Sequence, residues 1–380
     1  MDSDPSTDRE SLRRSVGRWE AGRPVSAKYQ QLLALVYDQP VLGLFADRHI
    51  GDEAPKVVLD PAAAVELVDR LRVSDVDRAA LDALGHAVEQ VTIDYSSAPA
   101  ATVAAEAIRL MTACGRLLAG SPGAHHRRIA ELAGWSAWIG SCALHDLGRA
   151  NDAEALRRRA LELGRDAGNG RLQAWATEIV AWIALSRREY DEALAASRAG
   201  HRHAPNSTVA VQLLGQEAEA LARLGDAKSA RKALERSAEL MDRLGVDHGE
   251  SLSLASHAVV DPSKARKSRA RVARLLGAYR LAEHQARTAM AENERPDGTY
   301  RQPMRQTDLL ATIGAIRAEQ GEYGEAVEFG WQALNVTNRT SQPSLALVMS
   351  EIVAAVPNDT PGALDLAAET RQRVSVDDQA

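Results

Sequence analysis

The chain has 380 residues, a formal net charge of −6 and few aromatic residues (4%). This acidic balance excludes binding of a polyanion by bulk charge, and no apolar run reaches the length of a membrane-spanning helix. The polar N-terminus is unlike a signal peptide. Cys114 and Cys142 lie in apolar helical stretches, which predicts reduced core thiols rather than a disulfide. We therefore expect a cytoplasmic protein without a membrane partner.

The first predicted elements are two short helices near the N-terminus. Residues 11–22 predict a helix that ends at Gly22, and residues 27–37 predict a second one. Between Arg9 and Lys28 there are six basic and two acidic residues, a local net charge of +4. This segment fits contact with phosphate groups. The alternative is a solvated helix face.

A linker and a helical hairpin are predicted next. Residues 46–73 read as a linker, since Gly, Pro, Asp and Lys precede only a short helical stretch. Residues 74–122 predict a hairpin that caps the array following it. Ser74 with Asp77 resembles a capping box before its first helix, and its second helix is expected over residues 101–118. Apolar residues recur in the first helix at steps of three and four, at Leu81, Leu84, Val88, Val91 and Tyr95.

A turn-like segment then recurs five times within residues 123–373. Each copy begins with glycine, or once with Arg188, and closes on an alanine. Seven residues after each closing alanine comes another small residue, so both lie on one helix face that a neighbouring helix can approach closely. The closing alanines are Ala153, Ala193, Ala230, Ala282 and Ala326. The second small residues are Ala160, Gly200, Ser237, Ala289 and Ala333.

The spacing of these copies predicts the fold class. They begin at positions 148, 188, 225, 277 and 321, so successive copies are 40, 37, 52 and 44 residues apart. A strict tetratricopeptide repeat has a period of about 34 residues. We therefore predict an all-α, right-handed superhelix of degenerate tetratricopeptide-like hairpins, with an insertion before the fourth copy and a tail at residues 374–380. Such arrays generally bind partners rather than catalyse reactions.

Two neighbouring hairpins carry a predicted ligand-binding groove. Their first helices are expected to line the concave surface of the array, where polar and aromatic residues recur on one face of each helix. The alternative is that the tryptophans fill gaps between repeats. The predicted groove residues are Trp175, Glu178, Trp182, Gln212, Gln216 and Glu219.

Other candidate sites are weaker. His125-His126 and the pair His201 and His203 lack the partners of a zinc site, and Cys142 near His145 lacks a third orienting residue. We expect no metal, no cofactor and no catalytic residue. A basic run on a later helix predicts an exposed face rather than a nucleic-acid site. That run consists of Lys264, Arg266, Lys267, Arg269, Arg271 and Arg274.

The N-terminal motif resembles a known family. Residues 15–22 read S-V-G-R-W-E-A-G, which resembles the S-V-x-R-W-E-x-G end of the recognition helix in XRE-type helix-turn-helix regulators. Residues 29–34 look like the helix that follows it. The remainder is similar to the C-terminal region of actinobacterial XRE-type regulators that carry tetratricopeptide-like repeats. The phrases that carry this similarity are residues 133–135, 145–148, 207–213 and 301–305.

The resemblance implies a cytoplasmic transcriptional regulator whose array binds a peptide, protein or small-molecule signal, with a homodimer as the DNA-binding form. It places Arg13, Arg14, Ser15 and Arg18 near DNA. In this family two further helices precede the recognition helix, and this chain begins too close to that helix to hold both. We therefore expect a partial helix-turn-helix over residues 1–45, with DNA as a partner only if that head is functional. The alternative is a protein-interaction adaptor that does not bind DNA.

Overall fold

The computed structural model describes residues 78–120, 125–244, 257–336 and 343–374, all within the unit Leu59–Ala380. These residues form fourteen α-helices, and the described ranges contain no β-strand beyond a single bridge between Glu294 and Tyr300. The first seven helices are α1 (Arg78–Asp94), α2 (Ala100–Gly120), α3 (His126–Asp146), α4 (Ala150–Asp166), α5 (Gly170–Ser186), α6 (Tyr190–His203) and α7 (Thr208–Arg223). The remaining seven are α8 (Ala227–Leu244), α9 (Pro262–Leu275), α10 (Tyr279–Asn293), α11 (Pro303–Glu319), α12 (Tyr323–Asn335), α13 (Pro343–Ala355) and α14 (Ala363–Val374).

Consecutive helices pack as hairpins, which confirms the predicted all-α helical-repeat fold. The hairpins are α3–α4, α5–α6, α7–α8, α9–α10, α11–α12 and α13–α14, and first helices also pack on one another along the array. At its start, α1 and α2 pack on α3. The predicted helix-turn-helix at residues 1–45, with Arg13, Arg14, Ser15 and Arg18, lies outside the described residues. So do the linker at 46–73, the Ser74 capping box and the predicted tail at 374–380 except for Val374, with which α14 ends.

The five predicted turns share one backbone geometry. The first residue of each copy has a positive φ, from 64° at Arg188 to 84° at Gly225. The next amide donates to a carbonyl five residues back, as from Arg149 to Leu144 at 2.9 Å. This bond defines a Schellman helix end, in which glycine is favoured because it has no Cβ atom. The recurring glycine is therefore a helix stop, and Arg188 adopts the same conformation with a side chain.

The recurring small residues lie where helices touch. All five closing alanines and all five small residues that follow them are buried. A Cβ atom added at Gly200 would lie 2.9 Å from Cδ2 of Leu213 on α7 and 3.4 Å from the carbonyl oxygen of Ala174 on α5. A larger residue at position 200 would therefore require the Leu213 side chain to move or α6 to shift away from α7.

The insertion before α9 ends inside the array. The His257 amide donates to the carbonyl of Thr92 on α1 at 3.1 Å. The His257 ring lies 4.6 Å from the Tyr95 ring and 5.8 Å from the Trp138 ring. Residues 258–260 are buried. The long spacing between the third and fourth turns therefore brings part of the chain back against α1 and α3, instead of adding only a surface loop.

The last hairpin also returns to the middle of the array. Helix α13 contacts α5, and a guanidinium nitrogen of Arg188 donates to Oγ of Ser350 at 3.3 Å. Arg223 of α7 pairs with Glu351 of α13. The first helices thus surround a shared interior. We call the region where α13 meets α5 and α7 the closed side of the array.

Two further observations concern the apolar residues. Cys114 and Cys142 are buried free thiols, as predicted. Within the described ranges, no helix combines the length and the apolar character that crossing a bilayer requires.

The turn geometry predicts a difference between two substitutions at one position. Arg188→Gly should be more stable than Arg188→Ala by about 1 kcal/mol, because both lose the guanidinium but only alanine keeps a Cβ atom in the left-handed conformation. Gly225→Ala should be destabilising by a similar amount. No atom lies within 4 Å of an added Cβ atom at this position, so the loss would come from backbone strain alone. Denaturant unfolding followed by circular dichroism measures both. Equal stability of the two Arg188 variants would contradict the shared turn geometry.

Candidate ligand-binding groove

The first helices of the hairpins enclose a cavity of about 110 Å³, which we call the polar groove. Helices α5, α7, α9 and α11 supply most of its charged and polar lining, and Tyr95, His257 and Leu347 of α13 also line it. The lining residues used below are Glu178, Trp182, Gln212, Gln216, Glu219, Lys264, Lys267, Arg271, Arg305 and Asp308.

Three of the predicted groove residues meet across two hairpins. Gln216 donates from Nε2 to Oε1 of Glu178 at 2.6 Å, and Gln212 donates to the same oxygen at 3.2 Å. The two glutamines lie one turn apart on α7 and therefore share the face that α5 meets. Glu178 is buried, with 7% of its surface exposed. The structure thus brings together the carboxylate and the two amides that the sequence placed on neighbouring repeats.

The two tryptophans have different positions. Trp182 lines the polar groove, and its ring meets the His145 ring edge-on at 5.0 Å. Trp175 is buried in the core and does not line the groove. Its ring lies 5.3 Å from the Trp138 ring, and Nζ of Lys264 sits 4.7 Å from its centroid. Trp175 therefore fills the space between repeats, because these two side chains cover it.

The basic run on α9 is not the exposed face that we expected. Lys264, Arg271 and Arg274 are buried, with 6%, 8% and 2% of their surfaces exposed. Burial of Arg271 and Arg274 depends on carboxylates from other first helices, because burying a charge is costly unless it is paired. Lys267 pairs with Asp308 of α11 at 2.7 Å, and Arg271 pairs with Glu219 of α7 at 3.4 Å. The expectation was wrong for these residues.

A sequence signal for this buried face does exist. Lys264, Lys267, Arg271 and Arg274 recur at steps of three, four and three, which places them on one side of α9. That periodicity shows that the four basic residues share one face of the helix. The carboxylates that pair with this face come from distant positions in the sequence, so the pattern alone did not show whether the face meets the protein interior or solvent.

Glu351 holds the closed side of the array together. It accepts hydrogen bonds from Arg223 of α7 and from Arg274 of α9, and Arg274 also pairs with Glu319. Burial alone would raise the pKa of Glu351, but the two guanidiniums outweigh that effect and lower it. One carboxylate on α13 thereby connects three first helices.

Glu178 and Lys264 are two buried charged residues of the polar groove that act on each other through space. Burial raises the pKa of Glu178, and burial lowers the pKa of Lys264 to about 7. Nζ of Lys264 donates to the carbonyl of His257 at 3.0 Å. Each group shifts the other's protonation through space, so the proton content of this pair responds to any charge that enters the groove.

Burial disfavours the thiolate of Cys142, which lines the groove, and makes the neighbouring His145 a weak base. Burial, with help from Glu178 and Asp146, raises the pKa of the Cys142 thiol well above its ordinary value. Burial and the nearby Arg187 lower the pKa of His145 to about 4. Among the described residues, no three His, Cys, Asp or Glu side chains are grouped so that they could hold a metal ion.

A search against protein-family models found no match to the chain, and a search of curated proteins found none either. The chemistry of the polar groove is therefore the basis for assigning a function. Its lining offers both hydrogen-bond donors and acceptors in a partly enclosed space, which suits selective binding of a polar ligand.

Removing the Glu351 carboxylate should destabilise the array. Glu351→Gln leaves two largely buried guanidiniums without their shared carboxylate, and we expect a loss of about 3 kcal/mol in the free energy of unfolding. The matched control is Glu322→Gln, whose carboxylate pairs with Arg317 at 3.2 Å but is half exposed. It should cost less than about 1 kcal/mol. Urea unfolding at neutral pH measures both, and similar losses would contradict the role given to Glu351.

His145 should make stability depend on pH. Its pKa is about 4 in the folded state and 6.5 in a model peptide, so the unfolded chain binds more protons between these values. Stability from this residue is fully present above pH 6.5 and falls as the pH drops toward 4, by on the order of 3 kcal/mol. The difference in unfolding free energy between the protein and a His145→Phe variant, measured from pH 4 to 7, isolates this effect. A difference that does not change with pH would refute it.

Proposed function

We propose that the chain is a cytoplasmic transcriptional regulator, or the regulatory part of one, whose helical array binds a peptide, protein or small-molecule signal in the polar groove. One observation carries the proposal: Glu178, Gln212 and Gln216 converge from two hairpins on an enclosed cavity that also receives Lys264. Buried polar groups that face a cavity are costly unless they serve recognition or are otherwise satisfied.

The DNA-binding half of the proposal is supported by the sequence motif at residues 15–22. Its resemblance to the recognition helix of XRE-type regulators places Arg13, Arg14, Ser15 and Arg18 near DNA. A homodimer would present two such helices to two half-sites. Salt-dependent contacts between these arginines and phosphate would supply much of the affinity.

The proposed mechanism connects the groove to the closed side of the array. A ligand held between α5, α7 and α9 favours whichever arrangement of these helices it contacts best. Because α13 contacts α5 and reaches α7 and α9 through Glu351, such a change alters how the array closes. The spacing of two DNA-reading heads in a dimer would change with it, which is the coupling that regulation needs.

A protein-interaction adaptor without DNA binding is the second candidate. The overall charge of −6 favours it, because an acidic surface repels nucleic acid. In that case the groove would bind its partner with no effect on DNA.

DNA binding separates the two candidates. The full chain should retard double-stranded DNA selected from a randomised pool at about 100 mM salt, and Arg14→Ala and Arg18→Ala should each weaken retardation. Arg231→Ala is the matched control, since Arg231 is exposed on the outer helix α8. Equal retardation by all four proteins would contradict the assigned DNA contacts, and no selected DNA at all would favour the adaptor.

A further inference from the structure

The charged residues that line the polar groove differ in how they are paired. Lys267 pairs with Asp308, and Arg271 pairs with Glu219. Arg305 pairs with Asp261 at 2.8 Å. Glu178 and Lys264 are the exceptions, because neither has an oppositely charged atom within ion-pairing distance among the described residues, although both line the same cavity. Each of the two therefore acts on the other through space, and neither forms a direct ion pair within the described residues.

The Glu178 end of the groove is rich in acceptors. Both glutamine amides donate to Oε1 of Glu178, so Oε2 receives neither of them. The side-chain carbonyl oxygens of Gln212 and Gln216 are buried and accept no hydrogen bond from the described part of the chain. Gln216 has only 6% of its surface exposed. A carboxylate flanked by two amide carbonyls matches an ammonium group, which has three donors and no acceptor.

The Lys264 end has the opposite character. Its ammonium group is fixed by the His257 carbonyl and lies over the Trp175 ring. The carboxylates of Glu178 and Asp261 act on the pKa of Lys264 in one direction, and the cations Arg305 and Lys267 act in the other. Lys264 is thus the cationic donor at this end of the groove, and an anionic group of a ligand can accept a charge-assisted hydrogen bond from it.

We propose that the polar groove binds a small zwitterion, with the chemistry of a free amino acid: its ammonium group on Glu178, Gln212 and Gln216, and its carboxylate on Lys264. This inference rests on the proposed function of the groove as a ligand site and names the class of ligand. A cavity of about 110 Å³ is smaller than the roughly 300–1,000 Å³ that drug-sized ligands occupy. It has room for several water molecules, which suits one amino acid.

The buried pair gives the site a further property. A ligand ammonium beside Glu178 lowers the pKa of that carboxyl group, and a ligand carboxylate beside Lys264 raises the pKa of the lysine. Both changes favour the charged forms that burial disfavours in the free protein. Binding is therefore coupled to the protonation of this pair, and the ligand completes two ion pairs that the protein leaves open.

Calorimetric titration of the full chain with the twenty free L-amino acids tests the inference. At least one should bind, and its methyl ester and its N-acetyl derivative should each bind at least tenfold more weakly, because each lacks one charge. Glu178→Gln and Lys264→Met should weaken binding of the free amino acid by the same factor. Glu322→Gln, on the exposed pair with Arg317, should bind as the unchanged protein does.

Circular dichroism of each variant excludes loss of folding as the cause. Unblocked dipeptides form a second arm of the experiment. If a dipeptide binds more tightly than any free amino acid, a very short peptide is the source of the two charges.

Binding of the ester or the N-acetyl derivative as tightly as the free amino acid would overturn the inference, as would no binding in either arm. If end-blocked peptides bind and Glu178→Gln weakens their binding, the inference of a zwitterionic ligand is overturned, but the proposed function of the groove as a ligand site stands. A zwitterion that binds without altering DNA retardation would support the inference and count against the regulator.

Discussion

The pairing of buried charges in the interior is the constraint on which the rest of this array depends. Helix α9 directs Lys267, Arg271 and Arg274 toward the interior, and such cations are stable there only with nearby carboxylates. Asp308, Glu219 and Glu351 supply them from three other helices. The mutual orientation of α7, α9, α11 and α13 is therefore specified by charge as well as by apolar contact. An interior of this kind can recognise a polar ligand, which an apolar core cannot.

The two helices of each hairpin have separate roles in this arrangement. The second helices carry the small residues, such as Gly200 and Ala289, that allow close approach of their neighbours. The first helices carry the buried charges. Because the Schellman turn and the small contacts are local, the hairpin survives changes in repeat length. That tolerance permits the insertion before α9, whose end places His257 against Tyr95 and Trp138.

The sequence was sufficient for the fold because its signals there are local. The turn glycines, the closing alanines and the apolar stripe of α1 each depend on residues within a few positions of one another, and the structure agrees with them. The site was predicted in part. Glu178, Gln212 and Gln216 follow from one helix face on each of two adjacent repeats. Burial of Lys264 could not be predicted in this way, since it depends on contact with Trp175, which is more than eighty residues away in the sequence.

Helix α9 is the element that can couple the ligand site to the closure of the array. Lys264, near its start, faces the proposed carboxylate end of the ligand, and Arg274, near its end, pairs with Glu351 on α13. Ten residues of helix separate them, about 15 Å at the usual rise. A helix of this length moves as one body, so a shift that a ligand imposes on Lys264 must either carry Arg274 with it or strain the contact with Glu351. Since Arg274 is almost fully buried, losing that contact is costly. Movement of α9 together with α13 is therefore the less costly response, and it changes the closed side of the array.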